Sequence, residues 1–220
     1  MSSIKTVAVL GGTGKEGSGL AMRWAAKGYS VIIGSREGEK AVAKATEMNA
    51  ALGISTVQGM ANPDAARAAD VVVLSVPYSA HKSTLEGVKD AVQGKVMIDL
   101  TVPLQPPKIR TVHVPEGKAA SLESQAFLGE SVRVCCAFQN VSAEHLVDPH
   151  YEVDCDVLVC GNDAEAKKLV IELVEATGMR GIDAGPLANA VAVESLTPVL
   201  LYINKAYATK GSGIRITGIG

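Results

Sequence analysis

Three glycines with fixed spacing lie where an apolar segment gives way to a helical pattern. Their order is Gly12-x-Gly14-x-x-Gly17. In this pattern Gly12 permits a tight turn, Gly14 lets a pyrophosphate approach bare backbone, and Gly17 allows the helix to pack closely on the strand. The unpaired N–H groups at the start of the helix then form an anion site without a basic side chain. The segment is therefore predicted to bind a dinucleotide.

The residues after the next apolar segment indicate which dinucleotide. A second strand is predicted over 29–34, followed by Ser35 and Arg36, with Lys40 one helical turn later. NAD-binding versions carry an acid about 20 residues past the motif, whereas a hydroxyl and a guanidinium suit a 2′-phosphate and favour NADP. The alternative is that Ser35 caps a helix starting at Arg36, with Arg36 and Lys40 in water. Glu37 is expected in the first turn of that helix, where it would not bind ribose.

Composition narrows the class of protein. The chain has 220 residues and a net charge of −2, and Phe, Trp and Tyr together make up 4% of it. With no basic stripe and few aromatics, no nucleic-acid partner is expected. No uninterrupted apolar run reaches the roughly 18 residues of a membrane span, and no charged leader with an apolar signal core precedes the first strand. A cytoplasmic protein without a membrane partner is expected.

The cysteines and histidines lack metal-ligand spacing. The cysteines lie at Cys135, Cys136, Cys155 and Cys160, in apolar strand-like segments, and they are expected to be buried thiols. Neither H-E-x-x-H nor G-x-S-x-G occurs. We therefore expect no metal and no acyl-enzyme chemistry.

Apolar runs of strand length alternate with helical periodicity, which is typical of a parallel sheet covered on both faces. Beyond the first strand and helix, strands are predicted at 29–34, 55–58, 71–76, 95–100, 132–137, 156–160 and 180–183, and helices at 36–52, 62–68, 163–177 and 187–208. Asp163 is the predicted cap of its helix. The predicted fold is α/β: a Rossmann-like doubly wound parallel sheet with a small C-terminal helical extension. The domains are 1–185, which binds NADP, and 186–220, a helix and tail beside the acceptor pocket.

The loops at the carboxyl ends of the strands should carry the chemistry, since ligands of open α/β sheets bind there. His81 is the candidate acid or base, although it could instead cap the helix that it enters. Tyr78 could stack on a ligand or donate a hydrogen bond from its hydroxyl, and Gln139 can only form hydrogen bonds. A carbonyl dehydrogenase normally needs a proton donor beside the hydride path. Because none stands out, the pattern favours an acceptor that is itself a redox cofactor, with no essential catalytic side chain.

Several motifs, taken together, carry a family resemblance. They are Gly11-Gly-Thr-Gly-Lys-Glu-Gly17, Ile33-Gly-Ser-Arg36 with Lys40, Ser75-Val-Pro77, Cys136-Ala-Phe-Gln-Asn-Val-Ser-Ala143, and Asp183-Ala-Gly-Pro-Leu-Ala-Asn189 with Glu194-Ser-Leu-Thr-Pro198. The chain resembles, in order and over nearly its whole length, the NADP oxidoreductases that use the deazaflavin coenzyme F420. The last two segments are the most family-specific.

The resemblance implies reversible hydride transfer between C4 of NADPH and C5 of the deazaflavin. It implies that residues around the glycine motif hold the pyrophosphate, that Ser35, Arg36 and Lys40 hold the 2′-phosphate, and that Val141 packs near the reacting rings. The cofactor-binding residues expected are Gly12, Thr13, Gly14, Lys15, Glu16, Gly17, Ser35, Arg36, Lys40, Val76, Pro77, Tyr78, Thr101, Val102, Val141 and Ala143. Family members are usually oligomeric, so a homodimer or higher homo-oligomer is expected.

Two positions depart from the family pattern and keep alternatives open. Gln139 stands where a histidine is expected, and Val191 where an arginine is expected. The loss of a cation beside the acceptor leaves room for an NADPH-dependent reductase of FAD, FMN or a small carbonyl or imine. A non-enzymatic NADP-sensing module is the further alternative.

Overall fold

The chain folds around one eight-stranded sheet, and the computed structural model describes residues 6–219. The strands are β1 Thr6–Leu10, β2 Ser30–Ser35, β3 Val57–Ala61, β4 Val71–Leu74, β5 Val96–Asp99, β6 Arg133–Cys136, β7 Asp156–Gly161 and β8 Arg180–Asp183. The helices are α1 Lys15–Ala26, α2 Gly38–Leu52, α3 Asn62–Ala68, α4 Tyr78–Val88, α5 Ala120–Leu128, α6 Ala143–Leu146, α7 Ala164–Ala176 and α8 Ala190–Ala206. The order β3-β2-β1-β4-β5-β6-β7-β8 confirms the Rossmann-like α/β class. Residues 1–5 and 220, which fall within the two predicted domains, lie outside the described residues.

The central strands β1, β4 and β5 are almost wholly apolar because both faces of the sheet are covered there. In β1, Val7 and Val9 belong to one hydrophobic core, and Ala8 and Leu10 belong to the other. Trp24 fills the first core, where its indole N–H donates to the carbonyl of Leu173 at 2.8 Å. An alternating polar face, which an exposed sheet would show, is therefore missing from the sequence.

The seventh strand departs from the predicted parallel sheet. β6 and β7 are antiparallel, with Cys136 opposite Cys160, and β8 runs parallel to β7. A parallel return needs a crossover that carries the chain back along the sheet, usually a helix. The connection here contains only the four-residue α6, which packs so closely on α1 that a Cβ at Gly19 would lie 2.5 Å from that of Leu146. The predicted class of sheet therefore holds, and only the direction of β7 and β8 was wrong, because β7 has the apolar composition of a parallel strand.

Several element boundaries differ from those predicted. β2 continues through Ser35, so α2 begins at Gly38 and Glu37 precedes the helix instead of lying in its first turn. The cap of α7 is confirmed, since the carboxylate of Asp163 accepts a hydrogen bond from the N–H of Ala166 at 2.7 Å. Helix α5 was not predicted. The four cysteines are free and buried, as expected.

A 3-10 turn over Leu187–Asn189 precedes α8, and Glu194 joins α8 to α5. The buried Glu194 carboxylate accepts hydrogen bonds from the N–H groups of Ala120 at 2.7 Å and Ser121 at 3.0 Å, and from the Ser121 hydroxyl at 2.8 Å. Burial outweighs these bonds and raises the pKa of Glu194 to about 7. Glu194 of α8 thus caps the N-terminus of α5.

The stretch Leu187–Ala206 is long and apolar enough to cross a membrane, with a mean hydropathy of 1.3 and 33% burial. The sequence analysis missed it because Glu194 interrupts the apolar run. Length and composition are weak evidence, since core helices meet the same two criteria.

Glu194 should make stability depend on pH. Its pKa in the folded protein, about 7, lies above the ordinary 4.5, so between these values the folded state retains a proton that the unfolded chain has released. The free energy of unfolding should therefore decrease as pH rises from 4.5 to 7. Glu194→Gln should remove that part of the decrease, measured by urea unfolding at several pH values. The exposed Glu175→Gln is the control, and an unchanged pH slope in Glu194→Gln would contradict the assignment.

Candidate cofactor-binding cleft

The turn after β1 is built by backbone contacts at the carboxyl edge of the sheet. The N–H of Gly12 lies 3.1 Å from the carbonyls of both Val9 and Gly34, and the N–H of Gly14 donates to the carbonyl of Gly11 at 3.0 Å. The left-handed residue is Gly11, with φ +74°, so the tight turn is made there and not at Gly12 as predicted. Gly12 is needed for space, since a Cβ on it would lie 2.7 Å from the Val9 carbonyl oxygen.

The start of α1 faces the cleft with its backbone. Gly14 is the residue before the helix and supplies no side-chain cap, so the first N–H groups keep no partner from a cap. Gly17 allows close packing, because a Cβ there would lie 3.1 Å from the Gly12 Cα and from Val9 Cγ1. Thr13 is exposed beside this turn, whereas Lys15 pairs with Glu144 of α6 at 2.7 Å.

A cavity of about 460 Å³ extends from this turn to the end of β2. It is lined by Gly11, Thr13, Gly14, Ser35, Arg36, Glu37, Lys40, Asn62, Ser75, Val76, Pro77, Ser79, Ala80, Ser83 and Thr84. The predicted phosphate residues Ser35, Arg36 and Lys40 are thus brought together. The Ser35 hydroxyl accepts from the N–H of Glu37 at 3.3 Å, and Glu37 pairs with Lys40 at 2.7 Å.

Asn62 is a residue of this cavity that the sequence analysis missed. It is the first residue of α3 and follows β3 directly, so the rule about carboxyl ends of strands could have found it. Its side chain is buried, and Oδ1 has no hydrogen-bond partner among residues 6–219.

A second cavity of about 300 Å³ adjoins the first. It is lined by Gly14, Lys15, Glu16, Ser75, Val76, Pro77, Leu100, Thr101, Val102, Leu104, Gln139, Val141 and Thr197. Because the two cavities share Gly14, Ser75, Val76 and Pro77, they form one continuous cleft. Thr197 is the contribution of α8 to the wall. Ala143 and Tyr78, both expected among the cofactor-binding residues, line neither cavity.

Gln139 and Glu16 are the polar groups of note in the second cavity. Gln139 is 4% exposed; its Nε2 donates to the carbonyl of Asp99 at 2.6 Å, while Oε1 is buried without a partner among the described residues. Glu16 is half-buried, and desolvation raises the pKa of its carboxyl to about 8. Nothing in the spacing of the sequence predicts this shift in the pKa of Glu16.

His81 lies under the cleft, in a buried cluster. Its Nε2 is 2.9 Å from Asp99 Oδ2 and from Ser124 Oγ, and the Ser124 hydroxyl donates to Asp99 at 2.5 Å. Burial lowers the pKa of His81, but the bond to Asp99 together with the negative charges of Asp99, Glu123 and Glu194 outweighs it, so the net pKa is raised. Tyr78 stacks on His81 and donates to Glu123 at 3.0 Å; burial raises the pKa of Tyr78 to about 12. Both rings border a separate groove.

Within residues 6–219, no group of three or more His, Cys, Asp or Glu side chains could hold a metal ion. The described part of the cleft therefore offers backbone N–H groups, one cationic corner and two buried amides.

The fold and this cleft define a dinucleotide-binding protein of the Rossmann class. The family model for NADP oxidoreductases, coenzyme F420-dependent, matches residues 6–103. The F420-dependent NADP reductase of Methanocaldococcus jannaschii is 44% identical over 97% of this chain and 98% of its own length. That of Methanothermobacter thermautotrophicus is 41% identical over 98% and 96%. A structure from Arthrobacter sp. FB24 described as an F420-dependent NADP-reductase aligns with a TM-score of 0.80 at 26% identity, over 98% of this chain and 100% of that one. The chain belongs to the coenzyme F420-dependent NADP oxidoreductase family.

Proposed function

We propose that the protein catalyses reversible hydride transfer between NADP(H) and coenzyme F420. The observation that carries the proposal is the continuous cleft, whose one end has a cationic corner and whose other end is partly apolar. The relatives of nearly equal length, named F420-dependent NADP reductases, support the same reaction.

Binding of NADP(H) would use the first cavity. Backbone N–H groups at the start of α1 suit the pyrophosphate. The end of β2 carries no carboxylate to repel a 2′-phosphate, and the next acid, Glu37, is paired with Lys40. Ser35 and Arg36 can donate to a 2′-phosphate. The residues present therefore fit NADP(H) better than NAD(H).

The second cavity would hold the acceptor and the nicotinamide. When bound, the deazaflavin supplies a carbon that accepts or returns a hydride. Val102, Leu104 and Val141 would exclude water from that position, and Gln139 lines the same cavity. Glu16 lies at this end of the cleft, and desolvation raises the pKa of its carboxyl to about 8.

The proposal extends to the setting of the enzyme. We propose that the protein is cytoplasmic. We also propose that it forms a homo-oligomer, which the exposed apolar side chains of Val199 and Tyr202 on α8 and of Tyr207 just after it support. Division into residues 1–185 and 186–220 is supported by the break at Gly185, with φ +91°, and by the contribution of Thr197 to the cleft. Because the net charge is −2 and a nucleic-acid backbone is negative as well, we propose no nucleic-acid partner.

The direct test mixes purified protein with NADPH and F420, FAD or FMN, and follows the absorbance of NADPH and of the acceptor. We expect rapid reduction of F420, and the reverse reaction from reduced F420 and NADP⁺. Faster turnover with FAD or FMN would instead identify an ordinary flavin reductase. NADPH binding without turnover of any of them would favour the sensing module.

Arg36→Ala should weaken binding of NADPH far more than that of NADH. A charged hydrogen bond contributes about 1.5 to 3 kcal/mol, which corresponds to at least a tenfold rise in KM for NADPH. Arg67→Ala, an exposed arginine on α3, is the control. Equal effects of Arg36→Ala on both nucleotides would remove Arg36 from the phosphate site.

Val141→Phe should lower kcat with F420 by about a hundredfold while leaving the Kd of NADP⁺ nearly unchanged. Val141 is 8% exposed and lines the second cavity, so a larger side chain would displace the reacting rings by around 1 Å. Val141→Ala should be milder. Val159→Ala, in the core, is the control and should lower Tm without changing the turnover of folded protein. Unchanged turnover in Val141→Phe would place the acceptor elsewhere.

A further inference from the structure

His81 is a buried titratable side chain that the proposed reaction does not use. It is 3% exposed, and it lines neither cavity of the cleft. A catalytic acid or base would have to come within hydrogen-bond reach of the bound rings. The position of His81 therefore points to a role within the protein.

The hydrogen bonds around Asp99 determine where the His81 ring carries a proton. Asp99 Oδ2 accepts from the hydroxyl of Ser124 at 2.5 Å, and His81 Nε2 lies 2.9 Å from both Oδ2 and Ser124 Oγ. A carboxylate oxygen only accepts, and the single hydrogen of the Ser124 hydroxyl is already used. Nε2 must therefore carry a hydrogen and donate it, because a bare Nε2 would place its lone pair against the carboxylate.

Asp99 connects this contact to the acceptor end of the cleft. It is fully buried at the end of β5, and its Oδ1 accepts from the N–H of Thr101 at 2.9 Å. Its backbone carbonyl accepts from Gln139 Nε2 at 2.6 Å. Thr101 and Gln139 line the second cavity from two different loops. One residue therefore determines the position of two walls of that cavity.

The donors to Oδ2 determine in turn how the Asp99 carboxylate is oriented. The terminal torsion of an aspartate has a broad energy profile, so the carboxylate is held in one orientation only by its partners. His81 holds Oδ2 from α4 and Ser124 holds it from α5. Without the imidazole N–H, the carboxylate can turn away from Thr101, and the loop that begins there loses its anchor.

We propose that His81 is a positioning residue for hydride transfer, which fixes the Asp99 carboxylate and through it the walls of the acceptor cavity. The proposal rests on the proposed function in that it assumes the acceptor in the second cavity. A shift of the reacting atoms by around 1 Å costs about a hundredfold in rate, so a shift of about half that size should cost about tenfold.

The experiment compares His81→Leu, which has no donor, with His81→Gln, whose Nε2 donor lies the same number of bonds from Cα as that of histidine. His81→Leu should lower kcat with F420 about tenfold while the Kd of NADP⁺ stays within about twofold. His81→Gln should keep kcat within about twofold of wild type, because the bond to Asp99 is retained. Kinetics at saturating NADPH, calorimetry with NADP⁺ and Tm are measured for each variant.

Two further variants complete the comparison. Ser124→Ala removes the other donor to Oδ2, so it should also lower kcat without changing the Kd of NADP⁺, and it decides the question if His81→Leu does not fold. Thr177→Val is the control, since the buried Thr177 hydroxyl donates to the carbonyl of Val174 at 2.6 Å and lines neither cavity. It should change Tm without changing the turnover of folded protein.

Three results would overturn the proposal. An equal loss of kcat in His81→Leu and His81→Gln would identify a catalytic acid or base. Unchanged kcat in His81→Leu, or in Ser124→Ala, with a lower Tm would make the cluster purely structural. An equal weakening of NADP⁺ binding would place the effect in the first cavity. Failure of the proposed function is visible separately, since wild type itself would then not reduce F420, which would overturn both.

Discussion

Contact between backbones at the turn from β1 to α1 is the constraint on which the cleft depends. Gly12 hydrogen bonds both within its own turn and to Gly34 of β2, and Gly17 packs against the Gly12 Cα. A side chain at these glycines would separate the helix from the sheet by the thickness of a methyl group. Since the first N–H groups of α1 must lie against the sheet edge to meet a phosphate, recognition of the anion and packing of the core are one requirement.

The acceptor end of the cleft depends in turn on Asp99, at the end of β5. One carboxylate oxygen accepts from the N–H of Thr101 at 2.9 Å, the other is shared by His81 and Ser124, and the backbone carbonyl accepts from Gln139. A buried carboxylate with this many partners fixes the geometry of everything attached to it. His81 is therefore linked to Gln139 through Asp99, although its own ring lines neither cavity.

Local pattern was sufficient to predict the elements that carry their own signals. The glycine motif, the apolar strands and the Asp163 cap depend on neighbours within a few residues, and the structure contains each of them. The direction of β7 and the position of Tyr78 depend on distant partners, namely the path of the chain after β6 and the carboxylate of Glu123. The raised pKa of Glu16 likewise arises from burial, which has no counterpart in sequence spacing.

The buried polar side chains near the cleft differ in whether the protein itself satisfies their hydrogen bonds. Asp99 and Glu194 are deeply buried, and the carboxylate of each accepts three hydrogen bonds within the protein, so both are satisfied without a bound molecule. Gln139 and Asn62 are equally buried and line one cavity each, and each keeps a buried side-chain oxygen without a partner among residues 6–219. Asn140 keeps one too, but it lines neither cavity and its Nδ2 is engaged by α8. Unsatisfied buried oxygens therefore occur both at the cleft and away from it, and what distinguishes Gln139 and Asn62 is that each residue lines one of the two cavities.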